Sequence, residues 1–509
     1  MGCACCFGGA CECKTLFVRI LFFFVWSLII LLMISPDSYL YDLYGKCDSV
    51  FFFTDGKSWM NGLIPYQDFS DSKGPLLFLF YGIGYLLSPT DYVGVFWMSC
   101  FLYTITFWLC YRIALIFISD EWGCMAVATL MPISYFNIMF FGEIRAEDIA
   151  AVFVALAMLM TCRCLYEDKA PLVPSFVIGM CIGACFLIKF TFSGMLVVLA
   201  AGILWHTRKT FWRNVLMMTL GGAIVVMPFM FVFLYEGNLF TFIDEYILKT
   251  FVTVSNTNED PYLLRLWSYF CMNTSMLVCF SSLIACLLIT SFLKRYKFFP
   301  LIAFSWFYFV TLQNGIWQYY YASCSIFVIF GIIALLKYLQ KKQVRMRKVF
   351  YLTVPVAFFI CVSARAVGYH RWSKPNLFYE DTFYRHEYWT YANLMGQVEK
   401  PKIICMNIDW GFGTPAESLP GCRYWYLQTG YTKQMADNQW LAIEARIPDF
   451  IMMTEDDSLR RQRVESFNYK AYYVKGSKHV LYSKHHRLKM PDEDYTITTK
   501  QLLMKQIPW

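Results

Sequence analysis

The sequence predicts a polytopic α-helical membrane protein with about 11 transmembrane helices, followed by a C-terminal extracytoplasmic α/β domain. Of its 509 residues, 58% are apolar and 16% are charged, whereas soluble globular chains carry about 25% charged residues. The mean hydropathy is +0.45, and most of the 20 Cys lie in or beside apolar runs, as small buried hydrophobes do. This composition excludes a cytosolic enzyme, a secreted disulfide scaffold and a nucleic-acid-binding protein.

Apolar runs set the expected helices, because about 20 apolar residues cross a bilayer. We expect residues 1–14 to be a Cys-rich cytoplasmic tail and residues 15–366 to be the transmembrane domain. The runs lie at 16–34, 92–117, 123–141, 148–165, 172–188, 190–205, 215–234, 265–292, 299–313, 320–337 and 349–366. A further run at 75–87 is short, and short runs are more often interfacial or re-entrant than spanning.

Basic residues orient the chain, because they favour cytoplasmic loops. The basic clusters lie at 208–213, 294–297 and 337–348. All three face the cytoplasm if the N-terminus is inside and the run at 75–87 does not span. Residues 35–91 then form a first external loop, and residues 142–147 form a second. Residues 367–509 are then extracytoplasmic.

The tail from 367 to 509 differs from the rest of the chain because charged residues run throughout it. Its apolar and amphipathic stretches predict a small α/β domain. The expected strands are 401–407, 449–453 and a hairpin at 471–482, and the expected helices are 386–398 and 433–446. Cys405 and Cys422 would lie in an oxidising compartment, where a disulfide between them is an open alternative.

The first external loop is rich in carboxylates. Its acids are Asp48, Asp55, Asp68 and Asp71, and Lys73 precedes the short apolar run. These residues make the loop a candidate site. The alternative is a solvated loop in which the Asp residues form turns and caps.

The second external loop is highly charged for a short connection between two spans. The charged residues in and beside it are Glu143, Arg145, Glu147 and Asp148. Ionisable residues at a membrane boundary are functional candidates by default. The alternative is that these side chains only reach towards the aqueous interface.

Residues 48–77 read D-S-x-F-F…W-x-x-G-L-I-P-Y-x-D-F-x-D-x-K-G-P-L-L, a pattern that resembles the first-loop signature of GT-C glycosyltransferases. The chain is most similar to the bacterial branch related to protein O-mannosyltransferases and to the lipid A aminoarabinose transferase. The resemblance covers the N-terminal half and the overall layout. It implies a GT-C enzyme of the bacterial inner membrane, with its active site and C-terminus outside. Such an enzyme moves a sugar from a polyprenyl-phosphate lipid donor to an extracytoplasmic glycan, lipid or protein acceptor in cell-envelope glycan biosynthesis.

The resemblance also implies roles for single residues. Asp48 matches the catalytic Asp of the family, Lys73 matches a lysine that contacts the donor phosphate, and Glu147 matches the second-loop acid. Many relatives have Asp-Glu at the first position, whereas this chain has Asp48-Ser49. This departure weakens the expectation of a bound metal, although a divalent cation held by Asp48 and Glu147 stays open.

The chemistry of the residues agrees with such a reaction. A leaving phosphate needs cations for its developing charge, and Lys73, Arg145 and Lys189 are the candidates. An acceptor hydroxyl needs a base, which Asp48 can supply. One base without an enzyme nucleophile inverts the anomeric centre. The residues expected to line the substrate cavity are Asp55, Tyr66, Asp68, Asp71, Glu143, Tyr319 and Tyr320.

Two other functions stay open, a transporter or flippase of lipid-linked glycans and a non-catalytic glycan-assembly scaffold. Transporters usually show paired half-repeats, and the two halves of this chain look unlike each other. A scaffold would tolerate Asp48→Asn, whereas a transferase would lose turnover. Lys189 and the pair Tyr319–Tyr320 also have plainer explanations, namely snorkelling and an aromatic interface belt.

Overall fold

A computed structural model of the chain is mostly helical, with a small sheet near the C-terminus. It describes residues 5–35, 37–38, 48–132, 144–167, 170–250, 284, 325–341, 351, 353–360, 382–406, 411–426, 432–454 and 457–491. The first nine helices are α1 (Cys5–Ile34), α2 (Asp48–Met60), α3 (Pro75–Leu87), α4 (Val93–Phe117), α5 (Glu121–Thr129), α6 (Ala146–Tyr166), α7 (Leu172–Ile188), α8 (Phe190–His206) and α9 (Phe211–Tyr235). They are followed by the short α10 (Leu239–Phe242), a π-helix (Ile243–Lys249), α11 (Ser325–Lys341), α12 (Thr382–Gly396), α13 (Lys433–Glu444) and α14 (Ser458–Ser466).

Within the described residues, four helices are long and apolar enough to cross a membrane. Their segments are Leu16–Met33, Val93–Phe117, Ala146–Tyr166 and Arg208–Tyr235. The shorter apolar helices are Pro75–Leu87, Leu172–Ile188, Phe190–His206 and Ile326–Gln340. The run at 299–313 lies outside the described residues, and those at 123–141, 265–292, 320–337 and 349–366 lie within them only in part. The total of about 11 spans therefore stays a prediction.

The first loop, residues 35–91, contains two helices that pack against each other, α2 and α3. Residues 49–58 of α2 are all buried, so the alternative of a solvated loop does not describe this helix. Helix α3 begins at Pro75, whose fixed φ suits the first turn of a helix. The prediction of a short apolar helix at this place is confirmed.

Among the residues that the structure describes, the C-terminal sheet has five strands in the order β2-β1-β3-β5-β4. They are β1 (Lys402–Cys405), β2 (Leu419–Pro420), β3 (Phe450–Thr454), β4 (Lys470–Tyr473) and β5 (His479–Ser483). Strand β1 pairs in parallel with β2 and β3, whereas β5 pairs antiparallel with β3 and β4. The predicted strands, hairpin and helices α12 and α13 are confirmed, but β2 and α14 were not expected.

Both faces of this sheet are buried, and each face belongs to a different core. Ile403 and Cys405 of β1 join the core that includes the membrane helices, whereas Ile404 and Met406 join a smaller core with α13 and α14. Alternate residues of a strand point to opposite faces, so the sheet is packed between these two cores. In the described part of the chain, no disulfide joins Cys405 and Cys422.

Candidate active site

One face of α2 carries the residues around which the candidate site is built. These residues share one side of the helix because they are spaced three and four positions apart. They are Asp48, Phe51, Phe52 and Asp55. Asp48 meets Arg145, Phe51 meets Tyr426, Phe52 meets Lys73 and Asp55 meets Trp425. A single helical face therefore contacts the second loop, the lysine of the first loop and the C-terminal part of the chain.

Asp48, the first residue of α2, is partly open to solvent. Its side chain is 31% exposed, and its Oδ2 lies 3.9 Å from Nε of Arg145, whose side chain is only 5% exposed. The buried guanidinium orients the carboxylate while leaving it reachable from outside. This geometry is compatible with the predicted role of Asp48 as a base.

Three hydrogen bonds hold the main chain around Arg145. The Asp148 carboxylate accepts from the Arg145 N–H at 3.1 Å and from the Tyr103 hydroxyl at 2.9 Å. The Tyr81 hydroxyl donates to the carbonyl of Ile144. Helices α3, α4 and α6 together therefore fix the position from which the guanidinium extends.

Glu147 and Lys189 form a largely buried ion pair. Glu147 lies in the first turn of α6, and its Oε1 is 3.0 Å from Nζ of Lys189. Lys189 separates α7 from α8, where the backbone becomes extended at φ −158° and ψ 109°. Glu147 thus faces a basic group.

Lys73 lies at the same corner of the molecule as Lys189. The N–H of Gly74 donates to the carbonyl of Ile188 at 2.8 Å, and a Cβ on Gly74 would lie 2.2 Å from the Leu187 carbonyl oxygen. Only glycine permits this close approach of the first loop to the end of α7. The main-chain segments that carry Lys73 and Lys189, two of the three predicted phosphate-binding residues, are therefore in direct contact.

Asp55 and Asp71 are both buried and both contact the C-terminal part of the chain. The Trp425 indole donates to Oδ1 of Asp55 at 3.3 Å, and the Tyr426 hydroxyl donates to Oδ2 of Asp71. Burial, with a further contribution from the charge of Asp71, raises the pKa of Asp55 well above its usual range. Asp55 therefore holds a proton under conditions in which an exposed aspartate is ionised.

The remaining predicted cavity residues have structural roles or lie outside the described residues. Tyr66 is fully buried, and its hydroxyl donates to the Lys73 carbonyl at 2.7 Å. The Asp68 carboxylate accepts the Ile64 N–H at 2.7 Å and closes a turn. The predicted residues outside the described part of the chain are Glu143, Tyr319 and Tyr320.

Sequence reasoning did not assign site roles to Asp148, Trp425 or Tyr426. Asp148 belongs to the charged second-loop stretch, so that motif contained the signal for it. Tyr426 lies 355 positions from its partner Asp71, and nothing in the local sequence marks this pairing.

The described carboxylates do not fit a divalent cation. Asp48 faces Arg145 and Glu147 faces Lys189, so each candidate ligand is already matched by a cation. In the described part of the chain, no group of three His, Cys, Asp or Glu side chains is placed to hold a metal ion.

The fold of the chain is shared with ArnT from Cupriavidus metallidurans, at a level of identity that establishes the fold alone. The apo structure of ArnT matches with a TM-score of 0.54 and 12% identity, covering 95% of this chain and 100% of ArnT. The structure bound to undecaprenyl phosphate matches with a TM-score of 0.52 and 12% identity, covering 94% and 99%. No family model and no curated protein matches the chain.

Proposed function

We propose that the protein is a membrane glycosyltransferase that moves a sugar from a polyprenyl-phosphate lipid to an extracytoplasmic acceptor. The observation that carries this proposal is the placement of three basic residues beside the N-terminal end of α2 and the second loop. Arg145 faces the partly exposed Asp48. Lys73 contacts Phe52, one turn further along α2, and Lys189 pairs with Glu147, two positions from Arg145. The fold shared with ArnT supports it, since ArnT binds undecaprenyl phosphate.

The basic residues supply the positive charge that a departing phosphate needs. As the bond from the sugar to the phosphate breaks, negative charge grows on the phosphate oxygens. Lys73 and Lys189 are point charges from adjacent main-chain segments, and Arg145 offers a planar set of N–H donors. Glu147 orients Lys189, so that its ammonium is held at the corner where the first loop meets α7.

Asp48 acts as the general base for the acceptor. Its carboxylate takes the proton from the acceptor hydroxyl while the hydroxyl oxygen attacks the anomeric carbon and the polyprenyl phosphate leaves. The carboxylate that lies nearest along the same helix face, Asp55, is buried and carries a raised pKa, so it is unsuited to act as a nucleophile. One base without a nucleophile gives inversion at the anomeric carbon.

The location belongs to the same proposal. We place the protein in the bacterial inner membrane with this site on the extracytoplasmic side, because basic residues in the loop 208–213 favour the cytoplasm. Nucleotide sugars are confined to the cytoplasm, so a transferase facing outwards needs a lipid-carried donor.

The variant Asp48→Asn tests the proposal. We expect it to bind undecaprenyl phosphate like the wild type but to lose at least about 100-fold in turnover, since general-base catalysis contributes about 10²–10⁴. The host cells lack their own copy of the gene and express either the wild type or a variant. Turnover is followed in these cells by mass spectrometry of lipid-linked sugars and surface glycans. Asp437→Asn, on the exposed side of α13, is the matched control.

Three outcomes would count against the proposal. Wild-type glycans in the Asp48→Asn strain would exclude Asp48 as the base. An unchanged set of lipid-linked sugars in cells that lack the gene would contradict the transferase and favour a scaffold. Lipid-linked glycans retained on the cytoplasmic side in those cells would favour a flippase.

A further inference from the structure

The two aromatic residues Trp425 and Tyr426 bring the C-terminal part of the chain to the first loop. Tyr426 is buried, and its ring stacks on Phe51 of α2 with a centroid distance of 3.9 Å and an angle of 16°. Trp425 is fully buried and donates to Asp55, one turn further along the same helix face. Both residues therefore pack on the helix that begins with Asp48.

This segment is held in place from two sides. On the sheet side, the N–H of Cys405 in β1 donates to the Trp425 carbonyl at 2.6 Å. On the side of the first loop, the N–H of Ser70 donates to the Arg423 carbonyl at 2.9 Å. The segment that carries Tyr426 is therefore hydrogen-bonded both to β1 and to the residues just before Asp71.

Asp71 divides its two oxygens between Tyr426 and Lys73. Oδ2 accepts from the Tyr426 hydroxyl. Oδ1 accepts from the Lys73 N–H at 2.9 Å and lies 3.6 Å from the Lys73 ammonium. A buried hydroxyl on one oxygen fixes the rotation of the carboxylate, so the other oxygen has one position relative to the lysine.

The Lys73 ammonium is set between this carboxylate and an aromatic face. It lies 5.6 Å from the centre of the Phe52 ring, within the range of a cation–π contact, and 3.0 Å from Oγ of Ser72. Its side chain is 22% exposed, so it keeps a free direction for an anionic ligand. Asp71 is the carboxylate that directly faces the Lys73 ammonium.

We propose that Tyr426 is a positioning residue of the donor-phosphate site: its hydroxyl fixes Asp71, which holds the Lys73 ammonium where the lipid phosphate binds. This role rests on the proposed function, because it presupposes that Lys73 binds phosphate. The C-terminal part of the chain then completes the donor side of the site and does more than shape the binding of an acceptor.

The variant Tyr426→Phe tests this role, with undecaprenyl phosphate as the probe and the full-length protein in detergent. The loss of one buried hydrogen bond predicts binding about fivefold weaker than that of the wild type. Binding of undecaprenol, which lacks the phosphate, stays unchanged, although a general loosening of the fold would weaken both. Tyr469→Phe is the matched control, because its buried hydroxyl donates to the Pro448 carbonyl away from the site.

A double-mutant cycle with Asp71→Asn identifies the route by which Tyr426 acts. If Tyr426 works through Asp71, the double variant binds undecaprenyl phosphate no more weakly than Asp71→Asn alone. Additive losses would overturn the proposal, as would wild-type binding by Tyr426→Phe. If Tyr426→Phe fails to fold, Asp71→Asn interrupts the same link, and wild-type binding by that variant would overturn the proposal equally.

The failure of the proposed function gives a different result. If the wild type does not bind undecaprenyl phosphate, or if Lys73→Ala binds it like the wild type, the assignment of the donor site itself is wrong. If the wild type binds it and Lys73→Ala does not, only the response of Tyr426→Phe and Asp71→Asn decides the role of Tyr426.

Discussion

Asp55 lies where its charged form is disfavoured. It is fully buried within α2, its Oδ1 accepts from an indole, and the charge of Asp71 is close enough to raise its pKa further. The sequence assigns Asp55 to the substrate cavity, together with Asp68 and Asp71. Asp55 differs from the accessible Asp48 because it is buried. Its burial depends on residues far along the chain, so a local motif does not reveal it.

The variant Asp55→Asn should become more stable relative to the wild type as the pH rises. The folded pKa of Asp55 is raised, so the proton stabilises the folded state fully below the unfolded pKa of about 4. This stabilisation is lost as the pH rises from there towards the folded pKa. Asn cannot ionise, so the difference in melting temperature between variant and wild type should grow as the pH rises above about 4.

Melting of the protein in detergent at a series of pH values measures this difference. Asp437→Asn, an exposed aspartate on α13, should show no comparable trend. A constant difference between Asp55→Asn and the wild type over the whole range would show that Asp55 is ionised in the folded protein.

At the scale of elements, the hydropathy pattern predicts most of the observed helices and strands. A helix or strand that buries apolar residues carries them at regular intervals in its sequence. The two elements missed in the C-terminal part of the chain lack such a pattern. Helix α14 reads SLRRQRVES and buries only Val464, and β2 has two residues. Short or polar elements depend on their neighbours, so they cannot be recognised from periodicity alone.

Helices α7 and α9 approach each other closely through glycine. A Cβ on Gly179 of α7 would lie 2.0 Å from the carbonyl oxygen of Met218, and a Cβ on Gly221 of α9 would lie 2.0 Å from that of Phe176. Small residues at such contacts let membrane helices pack backbone to backbone. Because α7 ends immediately before Lys189, this pair of helices also sets the position of a predicted phosphate ligand.

The variant Gly179→Leu should therefore separate the two helices. We expect a loss of at least about 1–3 kcal/mol in stability, the usual cost of overpacking, and a lower melting temperature in detergent. Val173→Leu, at an exposed position near the start of the same helix, should melt like the wild type. Equal melting temperatures for Gly179→Leu and the wild type would show that the helices are not packed this closely.

At the scale of the whole molecule, three distant parts of the chain meet beside the site. Glu245 of the π-helix accepts from the Ser70 hydroxyl at 3.0 Å and from the Tyr424 hydroxyl at 2.7 Å, and it pairs with Lys249. The sequence predicts the N-terminal half of the site, because Asp48, Lys73 and Arg145 lie in compact motifs. It does not predict the contribution of the C-terminal segment, because contacts that join residues hundreds of positions apart leave no local pattern.

This arrangement predicts on which side of the membrane each part of the molecule lies. Helix α8 begins next to Lys189 at the site and runs for 17 residues to His206, which carries the chain about 25 Å away from it. The basic loop 208–213 therefore lies at the opposite end from the site, whereas the sheet packs at the site through Tyr426. With the basic loop in the cytoplasm, the sheet must be extracytoplasmic.

Cysteine labelling in intact cells checks this prediction. A membrane-impermeant maleimide should label Lys475→Cys, at the exposed hairpin turn, before the cells are broken, and Lys209→Cys only afterwards. Native thiols covered by the fold react slowly. Even at the partly buried Cys422, burial raises the pKa to about 12. Peptide-level mass spectrometry separates any remaining background. Labelling of both positions from the same side would contradict the orientation and, with it, the placement of the site outside the cytoplasm.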